Sequence, residues 1–259
     1  MKRSVLLTLW FWLFVAYLFA PLLVMAAMGL RDSNFVAFPI AKWTTRWYAE
    51  VLVDRDYGAA IWVSIQVAVW STILSMAVGV PMAFAVARMR GAIRAGAIAV
   101  IVLPAFLPIV VSAIALRMFL GQLGLEPGLA AISFGHAVGS VPFVVVMVLT
   151  RLNAMSPSLP DAARNLGADD LIVLVRVVLP YLSPALLGAF LFCILLSFED
   201  FMRSFFLGSF DLTFPVLLFA RLRFGFNPGL AAISSLVLVA TMLLGVYAER
   251  FVRRRRVAQ

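Results

Sequence analysis

The sequence predicts an all-α, polytopic membrane protein with six transmembrane helices. Three observations carry that prediction. The 259 residues are 64% hydrophobic and 13% charged, with a mean hydropathy of +1.06. A soluble domain carries about 25% charged residues, and a water-soluble fold of this length could not hide so much apolar surface. The apolar residues also come in long blocks, and a span needs about 20 of them. Finally, the basic residues behind the net charge of +9 are scattered between those blocks. They form no soluble basic face, which argues against nucleic acid as a partner.

The blocks are 5–30, 58–87, 95–120, 128–150, 184–206 and 229–249. In the first, the apolar run from Val5 to Leu30 exceeds the ~7–15 residues of a signal-peptide core. No clear small-residue cleavage site follows it, so it reads as a retained first span. A polar stretch with Trp43, Trp47 and Tyr48 follows, and such residues suit a membrane interface. The whole of 1–259 reads as one transmembrane domain, with a polar loop at 151–183 between the fourth and fifth blocks. With the N-terminus inside, most of the 21 basic residues fall on the inner side, among them Lys2, Arg3, Arg88, Arg90, Arg94, Arg151, Arg164, Arg176 and the basic tail at 253–256. By the positive-inside rule both termini are cytoplasmic. "PGLAAIS" occurs twice, at 127–133 and 228–234. Each copy reads as a helix entry whose alanines allow close contact.

Pro180 and Pro184 each remove a backbone donor. The pattern therefore predicts a separate short helix over "LIVLVRVVLP" and a fifth span starting near Pro184. That span holds "SFEDFMRSF" in its outer half, with Glu199, Asp200 and Arg203. Charge inside a bilayer is costly and usually faces protein or water. Glu199 and Arg203 stand at i, i+4 and are expected to pair, which leaves Asp200 on another face. One acid is thus structural and one faces a polar route suited to a cation.

Other chemistry is missing from the sequence. It has no G-x-x-x-x-G-K-[ST] pattern and no G-x-S-x-G elbow. With one histidine, His136, and one cysteine, Cys193, no metal or Cys–His centre is signalled. His136 reads as a helix-contact residue beside Gly135, Gly139 and Ser140, and Cys193 as a small buried hydrophobe.

The loop "DAARNLGADD" at 161–170 is a polar island. Ser158 stands three residues before Asp161, as in a capping box, so a short helix is expected over 159–166. Gly167 is placed to terminate it, and Asp169 or Asp170 to cap the next helix. The result is a small helical knob on the inner face, with Ala162 and Ala163 leaving room for another surface.

The same residues resemble a signature of permease subunits of binding-protein-dependent ABC importers. In that family an E-A-A-x-x-x-G loop is followed at ten residues by Ile and at thirteen by Pro. Here the row is Asp161, Ala162, Ala163, Gly167, Val177 and Pro180, with Asp for Glu and Val for Ile. The "WTTRWYAEVL" and "SFEDF" regions look like the spermidine/putrescine-type permeases. One departure is Trp62-Val63-Ser64, where that family commonly has Asn-Ser. The resemblance implies a multi-pass subunit of a bacterial inner membrane and a solute that is a polyamine or another small molecule, cationic or not. It also implies a second and different permease, an ABC ATPase dimer that binds the ATP and Mg this chain would not, and an extracytoplasmic solute-binding protein. The knob would dock on the ATPase, and Glu199 and Asp200 would be candidates for the solute path. The alternative is an ion-gradient-driven secondary transporter, which is expected to show broken spans in each half.

Overall fold

The computed structural model describes the backbone of residues 2–33, 40 and 42–257, and the side chains of 5–33, 40, 42–246 and 250. The Lys2 and Arg3 side chains and those of the basic tail at 253–256 lie outside the described residues. Among the described residues the chain is helical, with one isolated bridge between Arg31 and Trp43. The helices are α1 (Lys2–Gly29), α2 (Arg46–Val53), α3 (Arg55–Arg88), α4 (Gly91–Phe106), α5 (Ile109–Gln122), α6 (Leu129–Asn153), α7 (Ser158–Asn165), α8 (Asp170–Val173), α9 (Leu179–Glu199), α10 (Phe201–Leu207), α11 (Phe214–Leu222) and α12 (Pro228–Val257). A π-helical turn, Leu174–Val178, joins α8 to α9.

Five stretches are long and apolar enough to cross a membrane: Val5–Gly29, Arg55–Arg88, Leu129–Asn153, Asp170–Glu199 and Pro228–Val246. The expected third span differs from the prediction. It is a bent pair, α4 and α5, folded through 100°. The cause is local. Pro108 forces the residue before it out of the helical region, and Leu107 accordingly sits at φ −71°, ψ 140°.

The expected break at Pro180 and Pro184 is absent. Helix runs from Asp170 to Glu199, so the short helix and the fifth span are continuous. At Pro180 the π turn explains this. The Leu179 N–H donates to Leu174 O, five residues back. That widened turn sits just where the missing Pro180 donor would interrupt an α ladder.

The fifth span breaks elsewhere. α9 stops at Glu199, Asp200 is extended at ψ 92°, and α10 restarts at Phe201. Block 184–206 is therefore two helices and not one.

The chain falls into two compact units. One comprises 1–59 with 217–245, the other 60–216 with 246–259. In the first, Gly29 is pressed against the backbone of Ala232, where a Cβ would lie 2.9 Å from the Ala232 N and Cα. This is the close contact expected of the second "PGLAAIS". The Tyr48 hydroxyl bonds Ala26 O (3.1 Å) and Ser235 Oγ (2.9 Å). Asn227 caps α12 by accepting the Leu230 N–H at 2.9 Å.

Arg221 in the same unit bonds Asp54 at 2.8 Å and Asp56 at 2.9 Å, with its guanidinium 4.1 Å from the Tyr57 ring centre. The Arg221 hydrogen bond holds the Asp54 carboxyl below its ordinary range, against the opposing pull of burial. A depressed carboxylate stabilises the fold above the unfolded pKa of about 4 and loses that contribution as pH falls through the folded value. Wild type should therefore melt above Asp54→Asn at neutral pH. The gap should close as the pH drops below about 4, as followed by thermal melts in detergent. A gap independent of pH would refute the assignment.

In the second unit the core is Val144, Val145 and Val148 of α6 against Ala83, Val86, Leu182, Ala189 and Cys193. Cys193 is the buried hydrophobe expected of it. Large apolar side chains such as Trp62, Trp70 and Phe106 face outward, while Ser71, Ser75, His136, Ser140, Ser197 and Ser204 are buried. This inside-out arrangement suits lipid, where polar groups must be satisfied within the protein.

Candidate functional site

Two features of the second unit carry polar chemistry. The first is the knob. α7 begins one residue earlier than expected, at Ser158, and the capping box does not form. The cap position is Pro157, with no side-chain hydrogen bond. Ser158 instead donates its N–H to Ser156 Oγ, at 3.4 Å. The C-terminus closes as expected. Gly167 has φ +87°, a left-handed conformation that glycine adopts without penalty. Its N–H bonds Arg164 O at 2.9 Å, and the Ala168 N–H bonds Ala163 O at 3.1 Å. Together these make a complete Schellman turn. Asp169 caps α8 by accepting the Ile172 N–H at 2.7 Å.

Arg164 clasps Asp161 (3.2 Å) and Asp170 (3.1 Å). All three are exposed, so the clasp orients the knob more than it stabilises it. The base is tied down by Arg151, whose guanidinium stacks 4.1 Å from the Tyr181 ring centre and donates to Tyr181 O. Arg94 bonds Asn153 Oδ1 at 2.7 Å.

Of the predicted coupling residues, Asp161, Ala162, Gly167 and Pro180 are exposed, while Ala163 and Val177 are half-buried. Ala163 and Ala168 pack on the core. Sequence reasoning missed Leu166, which is 89% exposed at the tip of the knob.

The second feature is a buried polar cluster around the break at Asp200. The expected Glu199–Arg203 pair does not form. Arg203 is paired with Asp200, whose Oδ1 also accepts the Arg203 N–H at 3.0 Å as the cap of α10. The helix break causes the exchange, because it ends the helical register that would have placed Glu199 four residues below Arg203. Glu199 is exposed.

The Arg203 guanidinium lies against Gly139, where a Cβ would sit 2.6 Å from Arg203 Cζ. At Gly135 a Cβ would sit 2.1 Å from Leu207 Cδ1. The two glycines thus form a groove on α6 that seats α10. His136 straddles the break. Its Nδ1 bonds Ser197 Oγ at 2.8 Å and its Nε2 bonds Ser204 Oγ at 3.1 Å. Ser71 Oγ donates to Ser197 Oγ at 3.0 Å. Ser64, at the point of departure from the Asn-Ser pattern, accepts the Phe214 N–H at 2.8 Å.

No family model matches the chain. It is 29% identical over 255 residues to the putrescine transport system permease protein PotI of Escherichia coli K12, covering 95% of this chain and 89% of that one. It is 26% identical over 239 residues to the spermidine/putrescine transport system permease protein PotC of the same organism, covering 92% and 90%. The chain is thus similar along most of its length to two polyamine transport-system permeases. Solved structures share the fold. A bacterial ABC transporter involved in alginate import matches with a TM-score of 0.73 at 18% identity, over 98% of this chain and 96% of the other. The MetNI methionine ABC transporter matches with 0.64 at 20%, over 76% and 94%.

The chain resembles the two transport-system permeases and the alginate transporter along nearly its whole length, so its knob and polar cluster sit within a shared scaffold. Ser197 and Ser204 flank Asp200 in "SFEDFMRS". An Asp that could cap a restarting helix was a readable signal there, overlooked because the apolar run continues past it.

Proposed function

We propose that the permease forms half of the solute path of an ATP-driven importer for a polyamine or another small cation. It would lie in a bacterial inner membrane with both termini cytoplasmic. A second, different permease would complete the path. An ABC ATPase dimer would bind ATP and Mg, and an extracytoplasmic binding protein would deliver the solute. The observation that carries the coupling role is the knob, a short exposed helix closed by a Schellman turn at Gly167. Its tip leucine is bare, and its base is bonded to the bundle. Work passes between domains only through a rigid contact that differs between states, and such a helix can act as the lever.

The names of the putrescine and spermidine/putrescine relatives support a polyamine solute. An exposed acid in the fifth span agrees with it. The broken spans at Leu107–Pro108 and Asp200 also suit an ion-gradient transporter. The whole-length likeness to ABC permeases favours ATP.

Cells expressing the complete transporter should take up labelled putrescine. Uptake should stop when ATP is depleted with the ion gradient intact, and an ATPase should co-purify with the permease. Uptake that instead follows the ion gradient with ATP hydrolysis blocked would sink the reading.

A further inference from the structure

We propose that Arg203 is a built-in counter-cation that masks Asp200, so that the path offers a passing cation one acid, Glu199, and not two. The inference rests on the cationic-solute reading above.

Four observations lead to it. Asp200 and Arg203 pair with side chains only 6% and 12% exposed, so neither charge is free to meet solute. Glu199, the neighbouring acid, is exposed, and among the described residues it makes no ion pair. The guanidinium has a prepared seat, because Gly139 leaves it room that any side chain would fill. Its buried Nε finds no hydrogen-bond partner, so the seat is shaped for the guanidinium's charge at the carboxylate and does not satisfy every donor.

Structural need does not account for this charge. Asn caps a helix as well as Asp does, so the restart of α10 requires no carboxylate. A buried ion pair is often no more stable than an apolar replacement. What the pair does accomplish is electrostatic. Two adjacent free carboxylates would hold a dication, whereas passage requires binding weak enough to release. Arg203 cancels one of the two. Glu199 ends α9 and Asp200 caps α10, so the break separates the acid left for solute from the acid that is masked.

The test compares wild type, Asp200→Asn, Arg203→Gln and the double variant in the assembled permease–ATPase complex. Radiolabelled putrescine is the probe. Retention by the purified complex is read by equilibrium dialysis without binding protein, and uptake is read in cells.

Arg203→Gln should retain at least fivefold more putrescine than wild type. Asp200→Asn, with Arg203 unmasked, should lose at least tenfold in uptake. The double variant, which keeps a capping side chain and removes both charges, should regain at least fivefold over Asp200→Asn. A double variant no better than Asp200→Asn in normally assembled complex overturns the masking, as does wild-type retention in Arg203→Gln. If Asp200→Asn fails to assemble, the Arg203→Gln retention decides alone. A wild-type complex that transports no putrescine removes the solute reading, and this inference with it. Wild-type transport with unchanged retention in Arg203→Gln removes only the inference.

Discussion

Gly167→Val should abolish transport while leaving the permease in the membrane and in its complex. Gly167 sits at φ +87° with nothing within 4 Å of where a Cβ would stand. The harm is therefore conformational and not steric crowding. A left-handed residue with a side chain costs roughly 1–2 kcal/mol, and a β-branched one is a true outlier there. The Schellman turn would open, releasing the Arg164 and Ala163 carbonyls and letting Leu166 swing away from the end of α7. A lever whose tip is not fixed cannot transmit work. Uptake should fall at least tenfold, and solute-stimulated ATPase activity should disappear from reconstituted complexes. Gly167→Asn should lose much less, because Asn tolerates the left-handed region. Equal losses in the two variants would mean that the residue acts through some property other than backbone freedom. Normal stimulation in Gly167→Val would remove the coupling role.

The knob was the most legible part of the molecule because its signals are local. A glycine after a short polar helix and an Asp before the next one each act within four residues, and both behave as expected. The capping box failed although it too is local. Ser156 competes for Ser158, and Pro157 occupies the cap position. The apolar blocks were legible because a bilayer demands them. Their breaks were less so. Pro180 and Pro184 looked like breakers, yet a π turn carries the helix past Pro180 and α9 runs on through Pro184. Pro108 breaks the third block because Leu107 turns extended before it. At Asp200 there is neither Gly nor Pro, and the break depends on tertiary partners: the α6 glycines that admit Arg203 and Leu207, and His136 bonding serines on both sides. The sequence contains every one of these residues but not their meeting. That is why the i, i+4 rule assigned Arg203 to Glu199.

The glycine groove makes a prediction that separates the ion pair from simple packing. Gly139→Leu should be among the most damaging changes in the membrane region. Its Cβ would stand 2.6–2.9 Å from three guanidinium atoms of Arg203. Arg203 is nearly buried, so the guanidinium has no solvent to retreat into and must leave Asp200. Overpacking alone costs about 1–3 kcal/mol, and splitting a buried pair about 3–5 kcal/mol. Uptake and complex yield should both fall at least tenfold. The loss should be relieved by shortening the residue that clashes. Arg203→Gln should recover at least fivefold of the complex yield lost in Gly139→Leu, though not the uptake because Asp200 stays unmasked, and do nothing for Gly135→Leu. At Gly135 the obstacle is Leu207 Cδ1, at 2.1 Å, so Leu207→Ala should rescue Gly135→Leu and not Gly139→Leu. Suppression that follows these pairs would show the two glycines acting as separate seats, one for a charge and one for an apolar side chain. Cross-suppression would mean that the groove only sets the distance between α6 and α10, and the pairing at Asp200 would then be a by-product of that distance.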